Sequence, residues 1–169
     1  HIGSHRELLQ MLAYEPVLIL LAIGVFMQNK SFLVKDIWTR PEPLLFSLPL
    51  VFIAVLIILT IKMRKSPFDL STCHHAHQEI IQGITIEYSG PYLAIIELTH
   101  WYELVLVLGL VVLFWAQPIW MGLILAAIAF FIELVIDNIC ARMTWSWMLK
   151  VTWTAGILLC VLNLGANLF

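Results

Sequence analysis

Five acidic side chains lie within or at the edge of stretches that are apolar enough to enter a lipid bilayer. They are Glu15, Glu97, Glu103, Glu133 and Asp137, and no Lys or Arg lies inside those stretches to neutralise them. A charged side chain at the centre of a membrane helix costs about 2.5–3.5 kcal/mol on insertion scales. A chain that keeps several such groups uses them, and the usual use is the movement of protons or cations. The sequence therefore predicts a membrane protein concerned with charge transfer.

The composition supports the membrane class and excludes some functions. Of the 169 residues, 62% are hydrophobic and 12% are charged, whereas soluble domains average about 45–50% apolar and about 25% charged residues. The net charge of −2 and the lack of a basic block argue against nucleic acid as a partner. Cysteines at 73, 140 and 160 have no zinc, iron–sulfur or disulfide spacing. Any redox metal centre must therefore lie in another chain.

The apolar windows predict an all-α, polytopic membrane helix bundle that forms a single transmembrane domain over residues 1–169. Each window has about the length of ~20 residues that a helix needs to cross the hydrocarbon layer. The five predicted spans lie near residues 8–27, 44–61, 93–115, 118–136 and 148–169. Nothing alternates with the two-residue period of a β-barrel strand over about ten residues.

The distribution of Lys and Arg predicts the orientation of these spans. Six cations fall on the N-terminal side and three on the other side, which places the long 62–92 connection in the cytoplasm. The six are Arg6, Lys62, Arg64, Lys65, Arg142 and Lys150, and the three are Lys30, Lys35 and Arg40. A connection as long as 62–92 is usually functional or has structure of its own. Within it, residues 73–82 predict a short helix, because they lack Pro and Gly.

Three ionisable residues recur at helical spacing in the third predicted span. Glu97, His100 and Glu103 follow one another at three-residue intervals, so they share one face of a helix. An imidazole exchanges protons near neutral pH, and burial brings a carboxyl group toward the same range. The column predicts a proton relay. The alternative is that these side chains only hydrogen-bond neighbouring helices.

Two other positions carry acids that could serve an ion pathway. Glu133 and Asp137 are one helical turn apart, and two carboxylates this close resist ionising together, so we expect them to share a proton. The alternative is a pair at a helix end with Arg142 as counter-ion. Glu15 precedes Pro16, which predicts a kinked or broken first helix with the carboxylate at the break.

The 62–92 connection is rich in residues that could bind metals or partners. Cys73, His74, His75, His77 and Glu79 lie close together, but their spacing matches no standard metal site. A protonatable or docking surface explains these residues better than a metal site does. We therefore predict no metal in this chain.

Residues 66–90, SPFDLSTCHHAHQEIIQGITIEYSG, resemble the cytoplasmic loop of a known membrane-subunit family. The family comprises the H-type (subunit 1) component of respiratory complex I and its counterpart, the B-type subunit of energy-converting membrane-bound [NiFe] hydrogenases (group 4, Ech type). The matching positions, in order, are Pro67, Phe68, Asp69, Glu79, Gly83, Glu87, Tyr88, Ser89 and Gly90. The HHAHQE segment is more similar to the hydrogenase branch. Tyr14-Glu15 and Asp137-Asn138 also resemble family positions, whereas His100 replaces a glutamate.

The resemblance implies a role for each group of residues. Members of this family have about eight helices, so this chain would correspond to their C-terminal part. The chain would be a non-catalytic membrane subunit of a multi-subunit oxidoreductase, without a cofactor of its own. Its partners would be the hydrogenase large and small subunits with a [NiFe] centre, an iron–sulfur subunit with [4Fe–4S] clusters, and an antiporter-like membrane subunit. The implied arm-facing residues are Asp69, His74, His75, His77, Glu79, Glu87 and Tyr88.

Three other functions stay open on the sequence. The nearest is the quinone-chamber subunit of a complex I-like dehydrogenase. A stand-alone cation or proton transporter would work without partners and would show inverted repeats, which are not visible here. A purely structural anchor would leave the buried acids without a purpose. The sequence decides neither between H⁺ and Na⁺ nor which molecule donates electrons.

Overall fold

The chain is all-helical in the computed structural model, which describes residues 2–63, Phe68, 88–141 and 143–167. An isolated parallel β-bridge joins Phe68 to Met143. The helices are α1 (Ile2–Asn29), α2 (Val34–Trp38), α3 (Leu44–Ser47), α4 (Pro49–Lys62), α5 (Pro91–Leu113), α6 (Ile119–Ile139), α7 (Trp145–Val151), a π-helix (Thr152–Ile157) and α8 (Leu158–Ala166).

Four helical segments are long and apolar enough to cross a membrane. They are Leu8–Asn29 of α1, α5, α6 and the continuous rod Ser146–Ala166, which joins α7, the π-helix and α8. Each overlaps one of the predicted spans, with ends shifted by a few residues. The polytopic, all-α membrane fold is therefore confirmed.

The second predicted span, residues 44–61, differs from the expectation. The chain is broken at Leu48 (φ −128°, ψ 51°), which divides this span into the four-residue α3 and the 14-residue α4. A helix of that length extends about 21 Å, which is less than the ~30 Å of a hydrocarbon layer. The cause is Pro49, which disfavours helical geometry at the preceding residue but fits the first position of a helix. Five uniform spans are thus replaced by four long helical segments and one broken one.

The break that we expected at Glu15–Pro16 is absent, since α1 continues through Pro16 as one 28-residue helix. A proline inside a helix removes a single N–H bond, and here the turns on both sides persist. The helix ends instead at Lys30, whose φ of +56° is left-handed. The Lys30 N–H donates to the Phe26 carbonyl at 2.7 Å and closes the last turn.

Helix α4 forms the centre of the bundle and packs against α1, α5 and the rod that ends in α8. Its residues Val51, Ala54, Val55, Ile58 and Leu59 are almost completely buried. A helix that is apolar on all sides has to be enclosed, either by protein or by lipid. The outward faces of α5 and α6 are apolar and are not covered by the described residues, as membrane-facing helices require.

Glycine fixes two places in the chain trace. A Cβ on Gly122 would lie 2.6 Å from the Trp115 carbonyl oxygen and 2.9 Å from that of Val112, so α6 crosses the end of α5 at backbone contact. Gly90 has a φ of +59° and turns the chain into Pro91, the first residue of α5.

Candidate ion-pathway site

Lys62, the last residue of α4, joins three helices through its ammonium group. Its Nζ lies 3.0 Å from Glu103 Oε1 on α5 and donates a hydrogen bond of 2.7 Å to the Tyr14 hydroxyl on α1. The same Nζ is 4.2 Å from the centre of the Tyr14 ring. The expectation that no cation neutralises the acids is therefore wrong for Glu103. The sequence placed Lys62 just outside an apolar run, but the fold carries it to a carboxylate of another helix.

The Lys62–Glu103 pair lies deep along α5. Glu103 is twelve residues from Pro91, which is about 18 Å along a helix about 35 Å long. Helix α4 ends at this level because it is short. The Lys62 side chain is only 11% exposed and the Glu103 side chain 35% exposed. An ion pair near the middle of a spanning helix is expensive unless its charges are compensated.

The other two members of the predicted relay lie on α5 before Glu103. His100 Nδ1 is 3.9 Å from Glu97 Oε2, which is within ion-pair range but too long for a hydrogen bond. The His100 ring is largely covered, whereas the Glu97 side chain is 58% exposed. The three side chains therefore lie along α5 as predicted, and Glu103, the one farthest from the start of the helix, pairs with Lys62. Proton transfer along these side chains stays a prediction.

Glu133 is the most buried acid of the described residues, with 3% of its surface exposed. It lies on α6, and its hydrogen-bond partner is Thr60 of α4. The Thr60 hydroxyl donates to the Leu56 carbonyl at 3.0 Å. A hydroxyl has a single hydrogen, so Thr60 can donate it either to the Glu133 carboxylate or to Leu56, and in the second case its oxygen accepts from a protonated Glu133. This arrangement suits a carboxyl group that gains and loses a proton.

The remaining predicted acids are placed differently. Asp137 is half-buried one turn after Glu133 and has a partner of its own, whereas Arg142 lies outside the described residues. Glu15 is on the exposed side of α1, although the adjacent Tyr14 faces Lys62. Within this chain, Glu15 is therefore not part of the Lys62 cluster.

Most of the predicted arm-facing loop lies outside the described residues. This holds for the predicted helix over 73–82 and for Asp69, His74, His75, His77, Glu79 and Glu87. Tyr88 is described and exposed, and Phe68 is buried and bridged to Met143. The 62–92 connection thus contacts the connection before α7. In the described part of the chain, no three His, Cys, Asp or Glu side chains are grouped to hold a metal ion.

Sequence reasoning missed the neutral and basic members of the site, which are Tyr14, Lys62 and Thr60. One signal was available. Gln10 and Tyr14 are four residues apart in an otherwise apolar helix, which places two polar side chains on one face. For Lys62 and Thr60, the pairing depends on which helices become neighbours.

These features define a polytopic membrane protein in which ionisable side chains are shared between helices at the depth of the membrane. A family model described as NADH dehydrogenase matches residues 1–167. The chain belongs to that family.

Individual relatives are similar over different parts of the chain. The H-type subunit of the NADH-quinone oxidoreductase of Geobacillus kaustophilus is 33% identical over 91 residues, which cover 53% of this chain and 26% of that protein. The same-named subunit of Thermomicrobium roseum is 26% identical over 184 residues, or 97% of this chain and 53% of that protein. NADH-ubiquinone oxidoreductase chain 1 of Rhipicephalus sanguineus is 28% identical over 108 residues, or 63% of this chain and 34% of that protein.

The chain therefore spans about half the length, or less, of the curated relatives that it matches. No solved structure matches. The names of these relatives agree better with the quinone-linked alternative than with the hydrogenase interpretation.

Proposed function

We propose that this chain is part of the H-type membrane subunit of a complex I-like, redox-driven ion pump. In this proposal it anchors the electron-transfer arm and couples quinone-linked electron transfer to the movement of H⁺ or Na⁺. The chain supplies no redox centre, and the chemistry takes place in partner subunits. Family membership supports the class of complex, and the names of the relatives support the quinone-linked branch.

One observation carries the coupling role. Lys62 bridges Tyr14 and Glu103 at mid-membrane depth, next to a helix face that carries His100 and Glu97. A charge network of this kind costs free energy in a bilayer and is not needed for packing. It can change its protonation when an adjacent group changes charge, which is what coupling requires.

The role of Glu133 offers a direct test in the complete complex reconstituted into vesicles. Glu133→Gln keeps the size and the hydrogen-bonding capacity of the side chain but cannot titrate. We expect ion transport to fall much more than electron transfer to an artificial soluble acceptor. The matched control is Glu42→Gln, which changes an exposed acid in the connection after α2. A Glu133→Gln complex that transports ions like the unaltered complex would refute a role for this acid in coupling.

The orientation of the chain belongs to the same proposal. Lys62 lies within the bundle, so it no longer counts as a cation that flanks a span. Five flanking cations still fall on the N-terminal side, against three on the other side. The 62–92 connection is therefore proposed to face the cytoplasm and the electron-transfer arm. Labelling of Cys73 from either side of sealed vesicles tests this. If Cys73 reacts only from the external side, the topology is the reverse of the one proposed.

A second candidate is the coupling subunit of a membrane-bound [NiFe] hydrogenase, favoured by the His-rich residues 74–79. In that case the arm would comprise hydrogenase large and small subunits and an iron–sulfur subunit, with an antiporter-like neighbour in the membrane. The two branches differ in what co-purifies with this chain. Nickel and hydrogen-dependent dye reduction would select the hydrogenase, whereas bound lipoquinone without nickel would select the quinone-linked complex.

A further inference from the structure

The break before α4 exposes backbone groups inside the bundle, and an asparagine of α8 satisfies them. The Asn163 Oδ1 accepts hydrogen bonds from the N–H groups of Leu50 at 3.0 Å and Val51 at 3.2 Å. The first N–H groups of a helix have no partner within that helix, and leaving them bare in an apolar environment is costly. Asn163 therefore acts as an N-cap of α4, supplied from more than a hundred residues away in the sequence.

The other side of the break is held by the same helix. The Ser47 carbonyl, at the end of α3, accepts from Asn163 Nδ2 at 3.3 Å and from Asn167 Nδ2 at 2.9 Å. Asn163 is 5% exposed, so these bonds form out of contact with solvent. Asn163 of α8 thus holds both sides of the gap between α3 and α4, and Asn167, the residue just after α8, adds a second bond on the α3 side.

The π-helix at Thr152–Ile157 sets the direction in which Asn163 points. A π-helical turn accommodates an additional residue, and one residue corresponds to about 100° of rotation in an α-helix. The segment is fixed to α1, since a Cβ on Gly156 would lie 3.0 Å from a methyl group of Val17. Residues after the π-helix are therefore rotated relative to a regular helix, and in this orientation Asn163 faces the break.

We propose that Asn163 is a positioning residue for the ion-pathway site at the opposite end of α4. Its hydrogen bonds fix the height and the rotation of α4, and Thr60 and Lys62 lie on the last turn of the same buried helix. A displacement of the capped end is transmitted to the other end because the buried face of α4 packs against α1, α5 and α8 along its length, so that this short helix moves as a rigid rod. This proposal rests on the proposed function for the meaning of the site, but the geometry can be tested without ion transport.

The test compares Asn163→Leu with Asn163→Asp in the purified complete complex. Leucine removes the cap, whereas aspartate keeps an oxygen for the two N–H groups and loses only the donor to Ser47, which Asn167 still supplies. The readout is labelling of Glu103 by a hydrophobic carbodiimide, which forms an acylurea with protonated carboxyl groups. In the unaltered complex the Lys62 ammonium group contacts a carboxylate oxygen of Glu103 at 3.0 Å and hinders its reaction with the reagent.

We expect Asn163→Leu to raise the labelling of Glu103 about tenfold, because the loss of the 3.0 Å contact with Lys62 leaves the carboxyl group open to the reagent. Asn163→Asp should label like the unaltered complex. The control Asn138→Leu changes an asparagine on the surface of α6, whose amide donates to the Leu134 carbonyl of its own helix, and should have no effect. Unchanged labelling in an assembled Asn163→Leu complex would overturn the proposal.

If the Leu variant does not assemble, Asn163→Ala takes its place, because alanine also removes the oxygen that caps α4. A tenfold rise in labelling supports positioning by the cap, and labelling at the unaltered rate overturns it. The labelling is measured without turnover. A Glu103→Gln complex that transports ions normally would therefore refute the proposed function. The labelling of Glu103 in the Asn163 variants would still report whether Asn163 positions Lys62.

Discussion

Replacing Lys62 by Met should destabilise the subunit more than any other single change in the site, and a second change at Glu103 should reverse most of the loss. The substitution leaves the Glu103 carboxylate without its cation and the Tyr14 hydroxyl without its donor. Methionine keeps a long, flexible and apolar side chain, so the packing at the end of α4 changes little.

The distances set the magnitude. Opposite charges 3.0 Å apart attract by about 5.5 kcal/mol at an effective dielectric constant of 20. Removing one partner of a fully buried pair costs about 3–5 kcal/mol. The Glu103 side chain is 35% exposed, so part of this loss is recovered by solvation, and we expect about 2–4 kcal/mol.

The two single variants should differ. Glu103→Gln leaves Lys62 hydrogen-bonded to Tyr14 and over its ring, and a cation–π contact contributes about 0.5–2 kcal/mol. Lys62→Met leaves an unpaired carboxylate with no such second partner. The double variant contains no unpaired charge, so it should cost about 1 kcal/mol or less relative to the unaltered chain.

A double-mutant cycle on the complete complex in detergent measures this coupling. The assay is the temperature at which half of this subunit dissociates from the complex. The order expected, from the least to the most stable, is Lys62→Met, Glu103→Gln, the double variant and the unaltered complex. Lys150→Gln, at an exposed lysine of α7, is the control. A double variant that loses as much as the two single variants added together would refute an energetic pairing of Lys62 with Glu103.

Three further predictions concern packing, backbone and relay. Gly122→Ala should destabilise by about 1–3 kcal/mol, because its Cβ would meet backbone oxygens at 2.6 and 2.9 Å, whereas Gly109→Ala, with open space around it, should be neutral or stabilising; equal melting temperatures would contradict this. Lys30→Gly should raise the melting temperature slightly, because it removes a left-handed lysine that costs about 1 kcal/mol, and a lower melting temperature would contradict this. His100→Gln should cut the rate of ion transport with unchanged melting, and His100→Glu should restore part of it. Full transport in the Gln variant would exclude His100 from the relay.

The long elements could be predicted because their signal is local. Residues 93–115 and 118–136 are apolar over the length that a helix needs to cross a membrane, and no proline beyond the first residue of either range interrupts the predicted helix. Local sequence could not show which of the prolines breaks its helix. Pro16 and Pro49 look alike in sequence, but Pro16 lies inside a continuous helix, whereas Pro49 begins a new helix whose first N–H groups are bonded by the buried Asn163. That partner is more than a hundred residues away, beyond any local rule.

The candidate site was predictable in part for a similar reason. The acids stand out because charge is rare in apolar segments, so Glu103 and Glu133 were found. Their partners Lys62 and Thr60 do not stand out. Lysine at the end of a span usually extends to the interface, and threonine inside a helix usually bonds its own backbone. Only the shortness of α4, which ends at the level of Glu103, turns Lys62 into an intramembrane residue.

The distribution of polar groups along α5 limits where an ion pathway can run. Glu97, His100 and Glu103 lie six, nine and twelve residues from Pro91, or about 9, 14 and 18 Å into the helix. From Leu104 to Leu113 every side chain is apolar or absent. A charge that moves inward along α5 therefore has to leave this helix at Glu103. The described residues offer it a lateral exit through Lys62 to Tyr14 on α1. In the proposed pathway, the transfer step at mid-membrane is therefore a step between helices, and we propose that the position of the last turn of α4 controls it.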